Sequence, residues 1–169
     1  MASKSILVLT APALALSLAL AACGGTPEAE QTQAAATDQV DAGETIEARE
    51  SNFKTIAKSM KSVKSQLDAN EPDFDAVSED ATKVLAAAQK VPSLFPAGTG
   101  PDSGEDTEAL ATIWEKPEEF QAAAMKLQTG ATKLRDAADS NDLTATKAAF
   151  AETGMACKGC HDQFREKKD

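Results

Sequence analysis

The segment IEARESNFKTIAKSMKSVKSQL, residues 46–67, decides the fold. Ile46, Arg49, Phe53, Ile56, Met60, Val63 and Leu67 recur at alternating spacings of three and four. That period lays them along one side of an α-helix and leaves Lys54, Lys58, Lys61 and Lys64 on the outer side. Asn70-Glu71-Pro72-Asp73 interrupts the pattern, and Asp73 can cap a second helix with the stripe Val77, Ala81, Val84, Ala88 and Val91. Pro92 and Pro96 stop that helix, and residues 98–104 form a loop rich in Gly and Pro.

A third helix starts after Trp114. Pro117 suits a first helical position, and Glu118 and Glu119 favour the positive helix end. Phe120, Ala124, Leu127, Ala131, Leu134 and Ala138 make its inner face. Asp139 to Asp142 is a turn, and Asp142 can cap a last helix with Leu143, Phe150, Gly154, Cys157, His161 and Phe164 on one side. Four amphipathic helices and three loops, with no strand pattern, predict an all-α fold, an antiparallel four-helix bundle over residues 44–169.

Cys157-Lys158-Gly159-Cys160-His161 in that last helix reads C-x-x-C-H and holds the only histidine of the chain. This is the attachment pattern of a c-type haem. The two thiols add to the porphyrin vinyl groups, and the adjacent imidazole serves as an axial iron ligand. A zinc site needs four ligands, and the third cysteine, Cys23, is far away in sequence. A thioredoxin-like C-x-x-C needs a βαβ context. With Cys157 and His161 four residues apart on an apolar helix face, the bundle is predicted to enclose one haem c bound through Cys157 and Cys160.

The N-terminal region reads differently. Lys4 followed by an apolar stretch from Ile6 to Ala22 is the pattern of an export signal over residues 1–22. It ends Leu20-Ala21-Ala22-Cys23, which resembles the lipobox of bacterial lipoproteins, with Cys23 as the lipidated residue. A short membrane-spanning helix and an ordinary signal that contains a cysteine are the alternatives. Gly24 after Cys23, in place of an Asp, favours the outer membrane by the same resemblance. Residues 23–43 are rich in Thr, Pro, Glu, Gln, Ala and Asp and read as a flexible tether. Export agrees with the haem motif, since haem c is attached outside the bacterial cytoplasm. The formal net charge of −10 argues against nucleic-acid binding.

Several segments resemble the cytochromes c′, the class II c-type cytochromes: Arg49-Glu50-x-x-Phe53, Phe95-Pro96-Ala97-Gly98-Thr99, Ile113-Trp114 with Pro117-Glu118-Glu119-Phe120, and Ala148-Ala149-Phe150 running to Cys157, Cys160, His161, Asp162 and Arg165. The resemblance covers residues 44–169 and implies a haem at the bundle centre. It implies His161 as the proximal ligand and Arg165 as the basic residue beside it. It places Arg49 near the haem propionates, Phe53 over the open side of the iron, and Thr107 and Glu108 in a loop at the haem edge. Glu50 stands where the family more often has Gln, and a carboxylate beside propionates is repulsive unless it is protonated or turned to solvent. Lys116 stands where a capping Asn is common.

These readings imply a periplasmic haem protein, lipid-anchored to the outer membrane, that is not an enzyme. If Phe53 faces the iron, the metal is five-coordinate and high-spin, and an apolar wall favours nitric oxide or carbon monoxide over dioxygen. The alternative is a low-spin, six-coordinate electron carrier with a methionine ligand, for which Met60, Met125 and Met155 are available; each can also be read as a core residue. Met60 lies two turns from Phe53, roughly 10 Å further along the helix. The resemblance also implies a homodimer through the first two helices, which the outer lysines could oppose or steer. A redox partner is not specified by the sequence.

Overall fold

The computed structural model describes residues 40–167. The export signal, Cys23 and the tether as far as residue 39 lie outside the described residues. Four long helices carry the structure: α1 (Ala42–Leu67), α2 (Phe74–Lys90), α4 (Pro117–Asp139) and α5 (Leu143–Phe164). A one-turn helix α3 (Thr112–Glu115) and 3₁₀ turns at Val91–Leu94 and Pro101–Ser103 lie in the connection between α2 and α4. The order and packing are those of the expected bundle. α1 packs on α2, α2 on α4 and α4 on α5, whereas α1 and α5 barely meet.

Three helices begin at an aspartate whose carboxylate accepts an amide three residues on. Asp41 accepts from Glu44 at 2.9 Å, Asp73 from Ala76 at 3.0 Å and Asp142 from Ala145 at 3.0 Å. The first of these caps starts α1 at Ala42, two residues before the expected boundary. α4 starts instead at Pro117, and Lys116 makes no side-chain cap. Asn141 takes a left-handed φ of 53° in the turn before α5, a conformation asparagine tolerates well.

The inner stripes expected for α1, α2 and α4 are the ones buried or half-buried in the structure. They form two apolar clusters along the bundle. One gathers Val63, Leu67, Val77, Ala81, Leu134, Ala138 and Ala149. The other is built on Ile56, Val84, Ile113, Phe120, Leu127 and Phe164, with Phe53, Phe95, Trp114, Cys157 and Cys160 packed against it. Met60 touches both.

The face of α5 is a correction. Leu143 is 38% exposed, and Gly154 and His161 are exposed, whereas Thr146, Ala149, Thr153 and Phe164 are buried. Each buried threonine donates its hydroxyl to the carbonyl four residues back, Thr146 to Asp142 at 2.6 Å and Thr153 to Ala149 at 2.8 Å. A hydroxyl satisfied within its own helix can be buried at little penalty. Small residues also bring α5 close to α4. A Cβ added at Gly130 would stand 2.9 Å from Thr153 Oγ1 and 3.1 Å from Thr153 Cα.

Gly130→Ala is therefore expected to destabilise the fold by about 1–2 kcal/mol, the overpacking outweighing the gain in helix propensity. Urea unfolding of the holoprotein checks it: a midpoint equal to or above wild type would contradict the close α4–α5 contact.

Candidate haem site

The site is built where the second cluster meets the gap between α1 and α5. Phe53 on α1, Phe95 in the loop, Phe120 on α4 and Phe164 on α5 form a chain of edge-on rings. Successive centroids are 6.3, 4.8 and 5.3 Å apart. Such edge-to-face pairs are favourable arrangements of aromatic quadrupoles. Trp114 closes the cluster at 6.1 Å from Phe95, and its indole N–H is shared between the carbonyls of Phe95 and Pro96, both at 3.1 Å. Gly100 is needed here, because a Cβ would fall 2.9 Å from the indole.

Arg49 organises the loop above this cluster. It is buried, at 4% exposure. Nε donates to Leu94 O at 3.0 Å, Nη1 to Thr107 Oγ1 at 3.2 Å, and Nη2 to Thr99 O and Oγ1 at 3.1 and 2.6 Å. Its guanidinium also lies 4.0 Å from the Phe95 ring centroid. All four bonds go to neutral oxygens, so none cancels the charge, and burial pulls its pKa below the ordinary arginine value. Thr99, fully buried, passes its own hydroxyl on to Pro96 O at 2.9 Å. The sequence signal for Thr99 is its place after Phe95-Pro96 in a turn.

Glu50 points away. It is exposed and pairs with Lys54 at 2.9 Å, so it adds no negative charge to the buried side. Thr107 accepts Arg49 and also the Ala109 amide at 3.2 Å. Glu108 binds Arg165 through Nε at 2.6 Å and Nη2 at 2.5 Å.

Cys157 and Cys160 are half-buried against the aromatic cluster. Burial pushes the Cys157 thiol up, and burial together with the neighbouring Cys157 pushes Cys160 up to about 11. His161 is exposed at the surface yet crowded enough that desolvation, then the Arg165 cation, hold its pKa below the ordinary value, against the opposing pull of Asp162 and Glu108. A lower pKa keeps the imidazole neutral, with its lone pair free, to lower pH. His161 lines a recess of about 210 Å³ with Asp162, Arg165, Glu166 and Lys167. Among the described residues no group of three or more His, Cys, Asp or Glu side chains gathers as a metal cluster.

The methionines separate clearly. Met125 and Met155 are 59% and 67% exposed and line a groove between α4 and α5 that Cys160 also lines, so neither is a core residue. Met60 alone of the three is half-buried against the core.

These residues fit a haem. Two thiols stand at the edge of an apolar, aromatic cluster where two helices stay apart. A buried guanidinium with only neutral partners stands at the same end, the complement of a macrocycle bearing two carboxylates.

Two outcomes follow. Arg49→Lys keeps the charge but loses the planar fork, and is expected to destabilise the holoprotein by about 2–4 kcal/mol in urea unfolding. In the folded apoprotein, Cys160 is expected to react with iodoacetamide about a hundredfold more slowly at pH 8 than a free thiol, accelerating as pH approaches 11. A rate profile centred near 8.5 would show that burial does not protect the thiol.

The family model described as Cytochrome C′ matches residues 44–165. A cytochrome c′ from Rubrivivax gelatinosus is 40% identical over 126 residues, covering 74% of this chain and 96% of the relative. The crystal structure of cytochrome c′ from Thermochromatium tepidum superposes with a TM-score of 0.69 at 30% identity, over 76% of this chain and 98% of that one. A ferrous variant of cytochrome c prime from Alcaligenes xylosoxidans with bound NO superposes with a TM-score of 0.68 at 25% identity, over 76% and 98%. With the motif on α5 and the bundle around it, the chain belongs to the cytochrome c′ family and takes one haem c, attached covalently through Cys157 and Cys160.

Proposed function

We propose that the protein is an exported gas-binding haem protein in which His161 is the single protein ligand of the iron and Phe53 walls the opposite side. The observation that carries this reading is Phe53 itself. It is half-buried on α1, edge-on to Phe95, in the same cluster as Cys157 and Cys160. A phenyl ring has no lone pair for the metal and no N–H for a ligand.

Haem when bound supplies an iron that takes a small diatomic ligand or exchanges one electron. The chain's own residues do the selecting. Phe53 and Ile56 contribute apolar side chains to the cluster that Cys157 and Cys160 join. Dioxygen gains from a hydrogen-bond donor that such a wall does not offer, while nitric oxide and carbon monoxide depend on it less. Arg49 supplies a buried positive charge suited to a propionate, and Glu50 stays in solvent with Lys54. The side chains along the inner face of α1, apart from Arg49, are not ionisable, which supports binding rather than acid–base catalysis. Nitric oxide bound to the relative from Alcaligenes xylosoxidans agrees with this reading.

The second reading, a low-spin electron carrier, rests on Met60. It is the methionine half-buried between the two clusters, on the face of α1 that carries Phe53. Roughly 10 Å of helix separates the two positions, so one iron cannot lie under both. Lipidation of Cys23, a tether as far as Asp41 and attachment to the periplasmic side of the outer membrane complete the proposal, on the strength of Leu20-Ala21-Ala22-Cys23-Gly24.

The ferrous absorption spectrum with and without nitric oxide is the test. A high-spin, five-coordinate spectrum that changes on adding the gas is expected. A low-spin spectrum indifferent to nitric oxide would overturn the gas-binding reading and favour Met60. Phe53→Met is expected to move the ferrous protein toward low spin, because it places a thioether where the phenyl stands.

A further inference from the structure

The stretch from Ser51 to Leu67 on α1 carries Lys54, Lys58, Lys61 and Lys64 and no acidic residue. In a chain with 27 Asp and Glu against 17 Lys and Arg, no other stretch holds four basic residues without an acid among them. All four lysines are exposed, while Ile56, Ser59, Val63 and Leu67 take the buried side of the same turns. At 3.6 residues per turn the four lie within about a third of the helix circumference. The two at the ends pair with acids outside the stretch, Lys54 with Glu50 at 2.9 Å and Lys64 with Asp68 at 2.5 Å. The two in the middle, Lys58 and Lys61, have no ion-pair partner among the described residues. Asp80 on α2 faces Ser59, and it pairs with Lys83 at 3.2 Å.

α1 is also the first helix after Cys23, beginning at the Asp41 cap. Roughly 18 residues separate the two, a span of at most about 60 Å when extended. The helix itself is about 39 Å long. A membrane that holds Cys23 is therefore within reach of any part of α1. Glu44, Glu47 and Glu50 occupy its first turns, so that end is repelled by a negative surface and the lysine stretch beyond is the part that can meet one. The acidic remainder of the domain does not cancel this attraction at contact, because at physiological ionic strength exposed charges more than about 8 Å apart are largely screened.

We propose that the outer face of α1 from Lys54 to Lys64 is a docking surface for the phosphate headgroups of an anionic lipid leaflet, and that it lays α1 against the membrane that holds Cys23. The proposal rests on the reading of Cys23 as the lipidated residue. Charge complementarity selects the occupant. Several lysines on one face meet a field of phosphates without needing a fixed geometry. A second copy of the chain, joined by a two-fold axis through this face, would set the same lysines against each other.

The experiment uses lipidated holoprotein in vesicles of phosphatidylcholine, alone or mixed with phosphatidylglycerol. A brief pulse of an amine-acetylating reagent is followed by mass spectrometry of each lysine. Lys58 and Lys61 are expected to react about fivefold more slowly on the anionic vesicles than on the neutral ones, the scale of one lysine at a charged leaflet. Lys126 on α4 and Lys147 on α5, both exposed, should react equally on the two. Salt at about 0.5 M should remove the protection while the protein stays on the vesicles through its anchor. Lys58→Glu combined with Lys61→Glu, at two exposed positions, should abolish the protection of Lys54 and Lys64. Equal reactivity of Lys58 and Lys61 on the two kinds of vesicle overturns the proposal. Protection on neutral vesicles that grows with protein density assigns the face to a second copy and overturns it as well. A holoprotein that does not float with neutral vesicles overturns the lipidation reading and the docking proposal with it, so flotation tells the two failures apart.

Discussion

One buried guanidinium pins the connection between α2 and α4 at three points. Arg49 sits on the inner face of α1, where an apolar residue would ordinarily belong, and uses its fork to fix three loop residues far away in sequence. Leu94 ends a 3₁₀ turn, and Thr99 and Thr107 lie outside any helix. The arginine fixes them, and the Phe95 ring beneath supports the guanidinium plane. A lysine has one ammonium group and could not bridge the same acceptors in the same geometry. Burying a charge among neutral acceptors is unfavourable unless a counter-charge arrives. The loop over the cluster is thus held by an interaction that a bound carboxylate would strengthen, tying local order to occupancy of the proposed site.

The cleft itself comes from a difference in residue size between helix pairs. α4 and α5 meet through Gly130 and Thr153, and the absence of a side chain at 130 lets the backbones approach. α1 brings Phe53, Ile56 and Met60 into the apolar cluster that Cys157 and Cys160 join, and it makes few contacts with α5. A bundle with one tight seam and one open seam has a side on which a flat macrocycle can enter. The C-x-x-C-H motif stands on the helix that borders both. Its two cysteines reach the aromatic cluster while His161 faces outward.

Much of this was legible before the structure. The period of three and four on α1, α2 and α4 was clear because those faces are marked by large apolar side chains. The caps at Asp73 and Asp142 were clear because an aspartate before an apolar run has one obvious use. The face of α5 was misread because its buried positions are threonines, whose hydroxyls bond back into the helix and so hide a core position behind a polar letter. Met125 and Met155 misled in the opposite sense, as apolar residues left at the surface of a groove. The pairing of Glu108 with Arg165 joins residues 57 apart through a bridge in a loop, and no local pattern announces it.

The same difference between long-range and local signals bears on function. The motif names the cofactor from five adjacent letters, but the two faces of the iron depend on residues scattered over the chain. In the proposed site one face meets Phe53 and the aromatic cluster, a dry wall without a donor. The other meets His161 in a recess that opens to solvent and carries Asp162, Arg165, Glu166 and Lys167. Of the two, only the second side carries charged groups. On the proposed reading, selectivity among gases belongs to the apolar face, so a substitution at Phe53 should alter which diatomic the iron prefers without removing the charged groups around His161.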